Sequence, residues 1–174
     1  MDLSTLDIET DRLRLRAYRE GDAQEIFEAV TPEICRYMTF DPSSSVEEIR
    51  TVGAKWLIQA VEGSEVAATI RQRDGNRFLG MCGLHYRKDP MPGLGIWIRG
   101  DAQGHGYGRE AVVALIGFAG SVLGEPAVQY SAAEENHRSR RIPESLGGVI
   151  YGREIIQRPS GPPHPAVMYR VPTA

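Results

Sequence analysis

A glycine-rich turn, placed between a strand pattern and a helix pattern, restricts the possible folds more than any other segment. Glycines alternate at 104, 106 and 108, directly after an apolar strand pattern at 94–99. Beyond the turn, apolar residues recur every three or four positions, which predicts a helix with one buried face. A helix that begins at such a turn offers unpaired N–H groups and the positive end of its dipole. The arrangement favours a bound phosphate or pyrophosphate; a connector that needs left-handed backbone angles is the alternative.

The other patterns predict strands and helices in a definite order. Alternation at 13–16 indicates a strand at or near a sheet edge, and Asp74-Gly75 indicates a hairpin between strands at 66–70 and 77–85. Further strands are predicted at 128–132, 149–156 and 167–171, and helices at 22–31, 45–63 and 136–146. Asp22 with Glu25 and Ser45 with Glu48 have capping-box spacing, and Pro143 predicts a kink or restart in the last helix.

Antiparallel hairpins followed by a strand, turn, helix and strand predict an α/β (α+β) fold. We expect a mixed, mainly antiparallel central sheet with helices on both faces, and not a doubly wound parallel sheet. The 174 residues fit one domain, residues 1–174. With no long apolar run and no basic, apolar start, the sequence predicts a cytoplasmic protein without a membrane partner.

Charge and cysteine usage exclude several classes of function. Twenty basic and 23 acidic side chains give a net charge of −3, which argues against a nucleic-acid partner. Cys35 and Cys82 lie far apart and without CxxC spacing, so we expect two reduced, packed thiols, and neither a metal site nor a disulfide.

Two common phosphate motifs can be compared with the turn. A Walker A loop requires Gly-Lys-Ser/Thr, and neither Lys55 nor Lys88 follows a glycine. A GxGxxG motif starting at Gly104 fails at Arg109, although Gly106, Gly108 and Ala111 fit the looser GxGxxA form. Because the turn follows hairpins and does not open a parallel unit, nicotinamide binding is the weaker alternative.

Three motifs carry a resemblance to a known family. Gln103, Gly106 and Gly108 match the pattern Gln/Arg-x-x-Gly-x-Gly/Ala, and residues 9–16 read Glu-Thr-Asp-Arg-Leu-Arg-Leu-Arg. Asn136-x-x-Ser139 leads to Glu-Ser-Leu-Gly at 144–147, with Gly148 where an aromatic residue is usual. In this order the motifs resemble the GNAT N-acetyltransferase superfamily, specifically the branch that contains ribosomal-protein N-terminal acetyltransferases.

The resemblance implies transfer of acetyl from acetyl-CoA to a primary amine, either a protein N-terminus or a small molecule. The amine would attack directly in a ternary complex, and the coenzyme arm would lie in a split between two parallel strands. The coenzyme-binding positions it implies are Ile96, Trp97, Ile98, Gln103, Gly104, His105, Gly106, Tyr107, Gly108, Arg109, Asn136 and Arg138. Asn136 could equally cap its helix. Arg138, Arg140 and Arg141 could meet the coenzyme 3′-phosphate or form a solvated helix face.

Acid and base are less clearly indicated. Many relatives carry a glutamate before the loop, but residues 91–95 contain no carboxylate. The candidates for the base are His85, Glu134, Glu135 and His137; a hydrogen-bonded structural role is the alternative for each. Ser139 matches a serine suggested as the acid in the ribosomal branch, whereas Pro143 stands where other relatives have tyrosine.

Two questions about partners stay open at the level of sequence. Tyr37, Met38 and Trp56 fall in the region that forms an acceptor wall in similar enzymes, or they belong to the core. A non-catalytic acyl-CoA-binding or regulatory module is the alternative function, because the loop carboxylate is missing. Monomer and homodimer are equally compatible with the sequence.

Overall fold

The computed structural model describes residues 1–86 and 91–174, so the start of the predicted 90–93 loop lies outside the described residues. The strands are β1 (Asp7–Glu9), β2 (Leu13–Ala17), β3 (Glu65–Gln72), β4 (Phe78–His85), β5 (Gly93–Ile98), β6 (Ala127–Ala133), β7 (Val149–Ile156) and β8 (His164–Pro172). The α-helices are α1 (Ala23–Ala29), α2 (Pro32–Cys35), α3 (Val46–Glu62), α4 (Tyr107–Ser121) and α5 (His137–Ser145).

The described strands form one eight-stranded sheet in the order β1-β2-β3-β4-β5-β6-β8-β7. Every neighbouring pair is antiparallel except β5 and β6, which are parallel. This parallel pairing is short and consists of Gly93 with Gln129 and Leu94 with Tyr130. Beyond these residues β5 continues along β4, and β6 continues along β8. The two central strands therefore separate and leave a split in the sheet.

Helices cover both faces of the sheet, which confirms the predicted fold class. On the face covered by α4, Val112 and Leu115 pack with Leu94, Tyr130 and Val167 in the larger core cluster. This side is called the α4 face below. On the other side, α1 and α3 pack over β3, β4 and β5 in a second cluster. This side is called the α1 face. Because side chains alternate along a strand, each β residue can be assigned to one face.

The predicted capping role of Asp22 is wrong. Its side chain is 3% exposed, and its carboxylate accepts bonds from Arg16 at 2.6 and 2.8 Å and from Arg71 at 2.8 Å. Glu25 also binds Arg71 instead of completing a capping box. Burial alone would raise the pKa of Asp22, but the bonds from Arg16 and the Arg19 N–H outweigh it and hold the pKa low. The Asp22 carboxylate thus binds the guanidinium groups of Arg16 and Arg71 and makes no hydrogen bond to an N–H group at the start of α1.

Four short elements were not predicted. They are β1 with three residues, α2 with four, and two 3₁₀ helices of three residues each, Glu20–Asp22 and Gly100–Ala102. All four are shorter than the window in which periodicity can be recognised. The Ser45 cap is confirmed, since Ser45 Oγ accepts a bond from the Glu48 N–H at 3.3 Å. The Glu48 carboxylate, however, binds Ser44.

The last helix begins as predicted, and its middle differs from the prediction. Asn136 Oδ1 accepts a bond from the Ser139 N–H at 3.2 Å, so Asn136 caps α5. The helix runs without a break past Pro143 to Ser145, so the expected restart does not occur. Pro143 stands close to the end of the helix, where the N–H it lacks removes one late bond.

Both cysteines are packed thiols, as the sequence predicts. Cys35 and Cys82 are both unpaired and buried. Burial raises the pKa of the Cys82 thiol to about 12. Within residues 1–86 and 91–174, no group of three His, Cys, Asp or Glu side chains is placed to hold a metal ion. No helix among these residues is long and apolar enough to cross a bilayer.

Candidate active site

A cavity of about 190 Å³ lies at the split between β5 and β6. It connects the two faces of the sheet: Tyr130 and Ser139 line it from the α4 face, and His85 and Glu154 line it from the α1 face. The described residues that line it are Tyr37, Met38, Thr39, His85, Met91, Gly93, Leu94, Gly95, Ile96, Gln129, Tyr130, Ser131, Ala132, Ala133, Asn136, Ser139, Glu154 and Ile156.

The edge of β5 that faces the split consists of backbone, because its other edge is paired with β4. Ile96 and Ile98 project to the α4 face and pack against the core there. Trp97 projects to the α1 face and packs edge-on against Phe78, with ring centroids 5.9 Å apart. The predicted coenzyme-binding triplet 96–98 therefore presents its main chain to the split, while its side chains hold the strand on both faces.

The glycine turn leads directly into α4. Gly104 and Gly106 adopt positive φ angles of 85° and 78°, and α4 begins at Tyr107. A Cβ on Gly108 would lie 3.5 Å from Ile98 and 3.7 Å from Ile142, ordinary contact distances, so the first turn of α4 lies next to β5 and α5. The first N–H groups of an α-helix have no partner within the helix, and here the helix begins beside Ile96 and Ile98 of β5. The turn thus has the geometry expected for an anion site. Residues 103–109 are not among the described residues that line the cavity.

Gln103 and Arg138 fix the turn to its neighbours. Gln103 Nε2 donates to the Ile98 carbonyl at 2.9 Å, and Gln103 Oε1 accepts from Arg138 at 2.8 Å. Arg109 Nε donates to Ser145 Oγ at 3.0 Å. The turn, α4 and α5 are therefore joined by side-chain bonds from Gln103, Arg109 and Arg138, three residues that were predicted to bind the coenzyme.

Glu110 is a residue of this site that the sequence analysis missed. Its carboxylate accepts from Thr10 Oγ1 at 2.6 Å, from the Arg12 N–H at 3.0 Å and from Arg12 Nε at 2.7 Å. Burial would raise the pKa of Glu110, but the bonds from Thr10 and Arg12 outweigh it and lower the pKa. The motif at 9–16 thus anchors the first turn of α4. Its arginines were the sequence feature that could have indicated an acidic partner elsewhere in the chain.

Arg12 also packs over the turn itself. Its guanidinium lies 4.7 Å from the centroid of the Tyr107 ring and donates to the His105 carbonyl at 3.0 Å. The His105 ring stacks on Tyr107, with centroids 5.8 Å apart and planes 21° apart. These contacts orient the main chain of the turn.

Ser139 lies within the cavity and has a buried partner. Its Oγ is 2.9 Å from the Tyr130 hydroxyl, and Tyr130 is 2% exposed. Burial raises the pKa of Tyr130 to about 12, so the phenol stays protonated at neutral pH and can donate to Ser139. Tyr130 was not among the predicted site residues, because the sequence pattern at 128–132 predicts only a buried position in a strand.

His85 lies against Gly93 and Gly95, the two glycines of the segment 91–95, which contains no carboxylate. A Cβ on Gly93 would be 2.7 Å from His85 Nε2, and one on Gly95 would be 3.7 Å from the same ring. The imidazole therefore occupies the space that a side chain at 93 would take. Glycine at this position brings His85 to the cavity on the α1 face.

The other predicted base candidates lie elsewhere. The Glu134 carboxylate is paired with Arg153, and Glu134 is not among the described lining residues. Glu135 and His137 are exposed and do not line the cavity either. Arg140 donates to Tyr169 at 2.9 Å and to the Glu134 carbonyl at 3.0 Å, so this arginine holds α5 against the sheet.

The α1-face end of the cavity includes one further residue without a sequence signal, Glu154 of β7. Of the predicted acceptor wall, Tyr37 and Met38 line the cavity. Trp56 packs edge-on against Tyr18, with centroids 5.4 Å apart, and belongs to the core.

Comparison with known proteins identifies the family. The acetyltransferase (GNAT) domain family matches residues 12–149, so the chain belongs to the GNAT acetyltransferases. This confirms the family prediction. The uncharacterized N-acetyltransferase YoaA of Bacillus subtilis (strain 168) is 24% identical over 143 residues, which cover 80% of this chain and 81% of YoaA.

Solved structures share the fold. RimL, a ribosomal L7/L12 alpha-N-protein acetyltransferase solved with coenzyme A, has a TM-score of 0.85 at 18% identity and covers 96% of this chain and 98% of its own. Spermidine N-acetyltransferase from Vibrio cholerae, solved with CoA and spermine, has a TM-score of 0.78 at 19% identity and covers 92% of this chain and 95% of its own.

Proposed function

We propose that this protein transfers acetyl from acetyl-CoA to a primary amine by direct attack in a ternary complex. One observation carries the proposal: residues of both sheet faces line a cavity where β5 and β6 separate, and the glycine turn at the start of α4 lies against Ile96 and Ile98 of β5. The coenzyme and the amine can then reach the same point from opposite faces. The family assignment supports acetyl transfer, and two structures with this fold contain CoA.

The turn and the split would bind different parts of acetyl-CoA. The N–H groups at 104–109 would hold the pyrophosphate, and the free edge of β5 at 96–98 would hold the arm. An N–H on this edge would also polarise the thioester carbonyl and stabilise the developing oxyanion. Asn136 and Arg138 would border the arm from α5, where Arg138 already binds Gln103.

The cavity also offers a base and an acid on opposite faces. His85 would accept the proton that the amine loses as its nitrogen attacks the thioester carbon. As the C–S bond breaks, Ser139 would donate its proton to the CoA thiolate, and the proton that the amine gave to His85 would return to Ser139 Oγ through water. The Tyr130 hydroxyl, 2.9 Å away, would keep its proton and donate a hydrogen bond to Ser139 throughout. No covalent acyl-enzyme is required, which agrees with the buried, unpaired state of Cys35 and Cys82.

The proposal extends to the class of acceptor and to the location of the protein in the cell. The named relatives act on a ribosomal protein and on spermidine, so peptide N-termini and small amines are both suitable first acceptors to assay. We expect one catalytic domain over residues 1–174, cytoplasmic, acting without a metal, as a monomer or homodimer.

Gly106→Val tests the coenzyme site, and Gly75→Val is its matched control. Both glycines have positive φ, 78° and 79°, but Gly75 lies in the β3–β4 hairpin with open space around it. Valine at 106 would place branched carbons over the N–H groups of the turn. We expect Gly106→Val to weaken acetyl-CoA binding by about 100-fold in calorimetry and Gly75→Val to leave it unchanged.

Calorimetry with acetyl-CoA, CoA and NAD, followed by thiol release over an amine panel, separates the alternatives. Binding of acetyl-CoA with thiol release from at least one amine supports the transferase. Tight binding without turnover of any amine would instead identify a non-catalytic acyl-CoA-binding module. Binding of NAD alone would reject both.

A further inference from the structure

Among the described residues, the acceptor end of the cavity carries one negative charge and no positive charge. Glu154 is the single carboxylate among the described lining residues, and none of these residues is Lys or Arg. The salt bridges and hydrogen bonds of the described chain leave the Glu154 carboxylate without a partner, whereas its neighbour Arg153 is paired with Glu134. A half-buried carboxylate without a counter-charge favours a cation as its ligand.

The sheet register places Glu154 on the α1 face, the face opposite the glycine turn. Glu154 pairs with Ala166, and Ala166 pairs with Ala133 next to the split. Residues that pair across strands project to the same face. Ala132 and Val167 belong to the α4-face core, so Ala133, Ala166 and Glu154 project to the α1 face. Glu154 thus lies where the amine would approach and not where the coenzyme would bind.

Glu154 is offset from the point of reaction. Two strand spacings, about 10 Å, separate β7 from β6 at the split. His85, the proposed base, lies on the opposite side of the split, against Gly93 of β5. The carboxylate therefore suits a positive charge at a distance from the reacting nitrogen, near the spacing of the two amino groups in an extended seven-carbon diamine.

Part of the cavity lining suits an aliphatic chain. Tyr37, Met38 and Ile156 supply largely apolar side chains, beside the polar Thr39, Gln129 and Ser131, and Tyr37 packs against His164 with ring centroids 5.4 Å apart. Apolar surface together with one carboxylate matches a molecule that has methylene groups between two cations.

We propose that Glu154 binds the distal ammonium group of a small aliphatic diamine or polyamine and so selects this class of acceptor. The inference rests on the proposed function, because the proximal amine is the one that would be acetylated. Glu154 therefore determines specificity and takes no part in the transfer of the acetyl group.

Glu154→Gln tests the proposal, since it removes the charge and keeps the side-chain size. Glu33→Gln is the matched control, because Glu33 is exposed on α2 and does not line the cavity. The probes are a seven-carbon α,ω-diamine and the seven-carbon monoamine, each measured by kcat/KM in thiol release and by calorimetry on the CoA-loaded protein. For Glu154→Gln we expect a loss of about tenfold for the diamine and a change within about twofold for the monoamine. Glu33→Gln should change neither.

The outcomes distinguish this inference from the proposed function. If the wild-type protein acetylates no amine but its diamine affinity falls in Glu154→Gln, the cation site stands and the transferase proposal fails. Equal losses for diamine and monoamine, or no loss for either, would overturn the cation site. A short peptide with a basic second residue is assayed as a third acceptor. A loss confined to this peptide would also overturn the cation site, because the acceptor would then be a polypeptide.

Discussion

The two faces of the sheet supply the two ends of one cavity, but they are constructed differently. On the α4 face the candidate coenzyme site comes mainly from one continuous segment, β5 through the first turn of α4, and consists of backbone. Side-chain bonds fix it, such as those from Gln103 to Ile98 and from Arg138 to Gln103. On the α1 face, Tyr37, His85 and Glu154 come from distant parts of the chain and present side chains.

This difference separates two tasks. A site made of main-chain N–H groups depends on turn geometry and tolerates many side chains around it. A cavity lined with side chains can change its preference through single substitutions, without disturbing the sheet. We therefore expect substitutions on the α4 face to alter coenzyme affinity and those on the α1 face to alter turnover and acceptor choice.

The largest effect that would support this division is expected at Gly93. In Gly93→Ala the new Cβ would lie 2.7 Å from His85 Nε2, so the imidazole must move away from the cavity. Loss of a general base lowers turnover by about 100-fold or more. Acetyl-CoA affinity should stay constant, because the change is on the α1 face. Thiol release and calorimetry measure the two quantities.

Gly100→Ala is the control for this substitution, since a Cβ at 100 meets open space. It should change neither quantity. A fall in coenzyme affinity in Gly93→Ala that matches the fall in turnover would break the proposed division between the faces.

An intermediate effect is expected at Glu110, on the α4 face. Glu110→Gln weakens the charge-assisted bonds from Arg12 and should lower the free energy of unfolding by about 2 kcal/mol at neutral pH. Because the pKa of Glu110 is lowered in the folded protein, this contribution is complete above the ordinary value of 4.5. It disappears as the pH falls through the lowered pKa. Urea unfolding at several pH values measures it.

Coenzyme affinity should weaken along with stability in Glu110→Gln, while turnover at saturating acetyl-CoA persists. Glu47→Gln, which removes an exposed pair with Arg50, should have little effect on either. A difference between wild type and Glu110→Gln that grows as the pH falls would contradict the assigned pKa direction.

The smallest effect is expected at Ser139, where the faces meet. Ser139 projects from α5 on the α4 face, yet its proposed role concerns the departing thiolate. Ser139→Ala should lower kcat by about tenfold and leave acetyl-CoA affinity unchanged. Ser121→Ala, which removes a hydroxyl bonded to Gly117 at the far end of α4, is the control. Unchanged turnover would remove Ser139 from the reaction.

The sequence predicts the α4 face better than the α1 face, for a physical reason. Local patterns reveal the turn, the helix after it and the strand before it, because each depends on neighbouring residues. Ser139 and Asn136 were also accessible through a local motif. The cap assigned to Asp22 failed because its real partners, Arg16 and Arg71, come from two different strands.

The α1 face depends on long-range register, which a single sequence does not display. The approach of His85 to Gly93 follows from antiparallel pairing of β4 with β5. Glu154 reaches the cavity only because β8 lies between β6 and β7 in the sheet. Neither relation leaves a spacing pattern, so His85 was one of several candidates and Glu154 was missed.

The short parallel pairing has a consequence for folding cooperativity. Among the described residues, two register pairs, Gly93 with Gln129 and Leu94 with Tyr130, form the ladder between the first five strands and the last three. A molecule lying along both edges of the gap would join these halves like a missing strand. A ligand bound in the gap would therefore stabilise the folded protein by its binding free energy. It would also hold the C-terminal third of the chain against the first five strands.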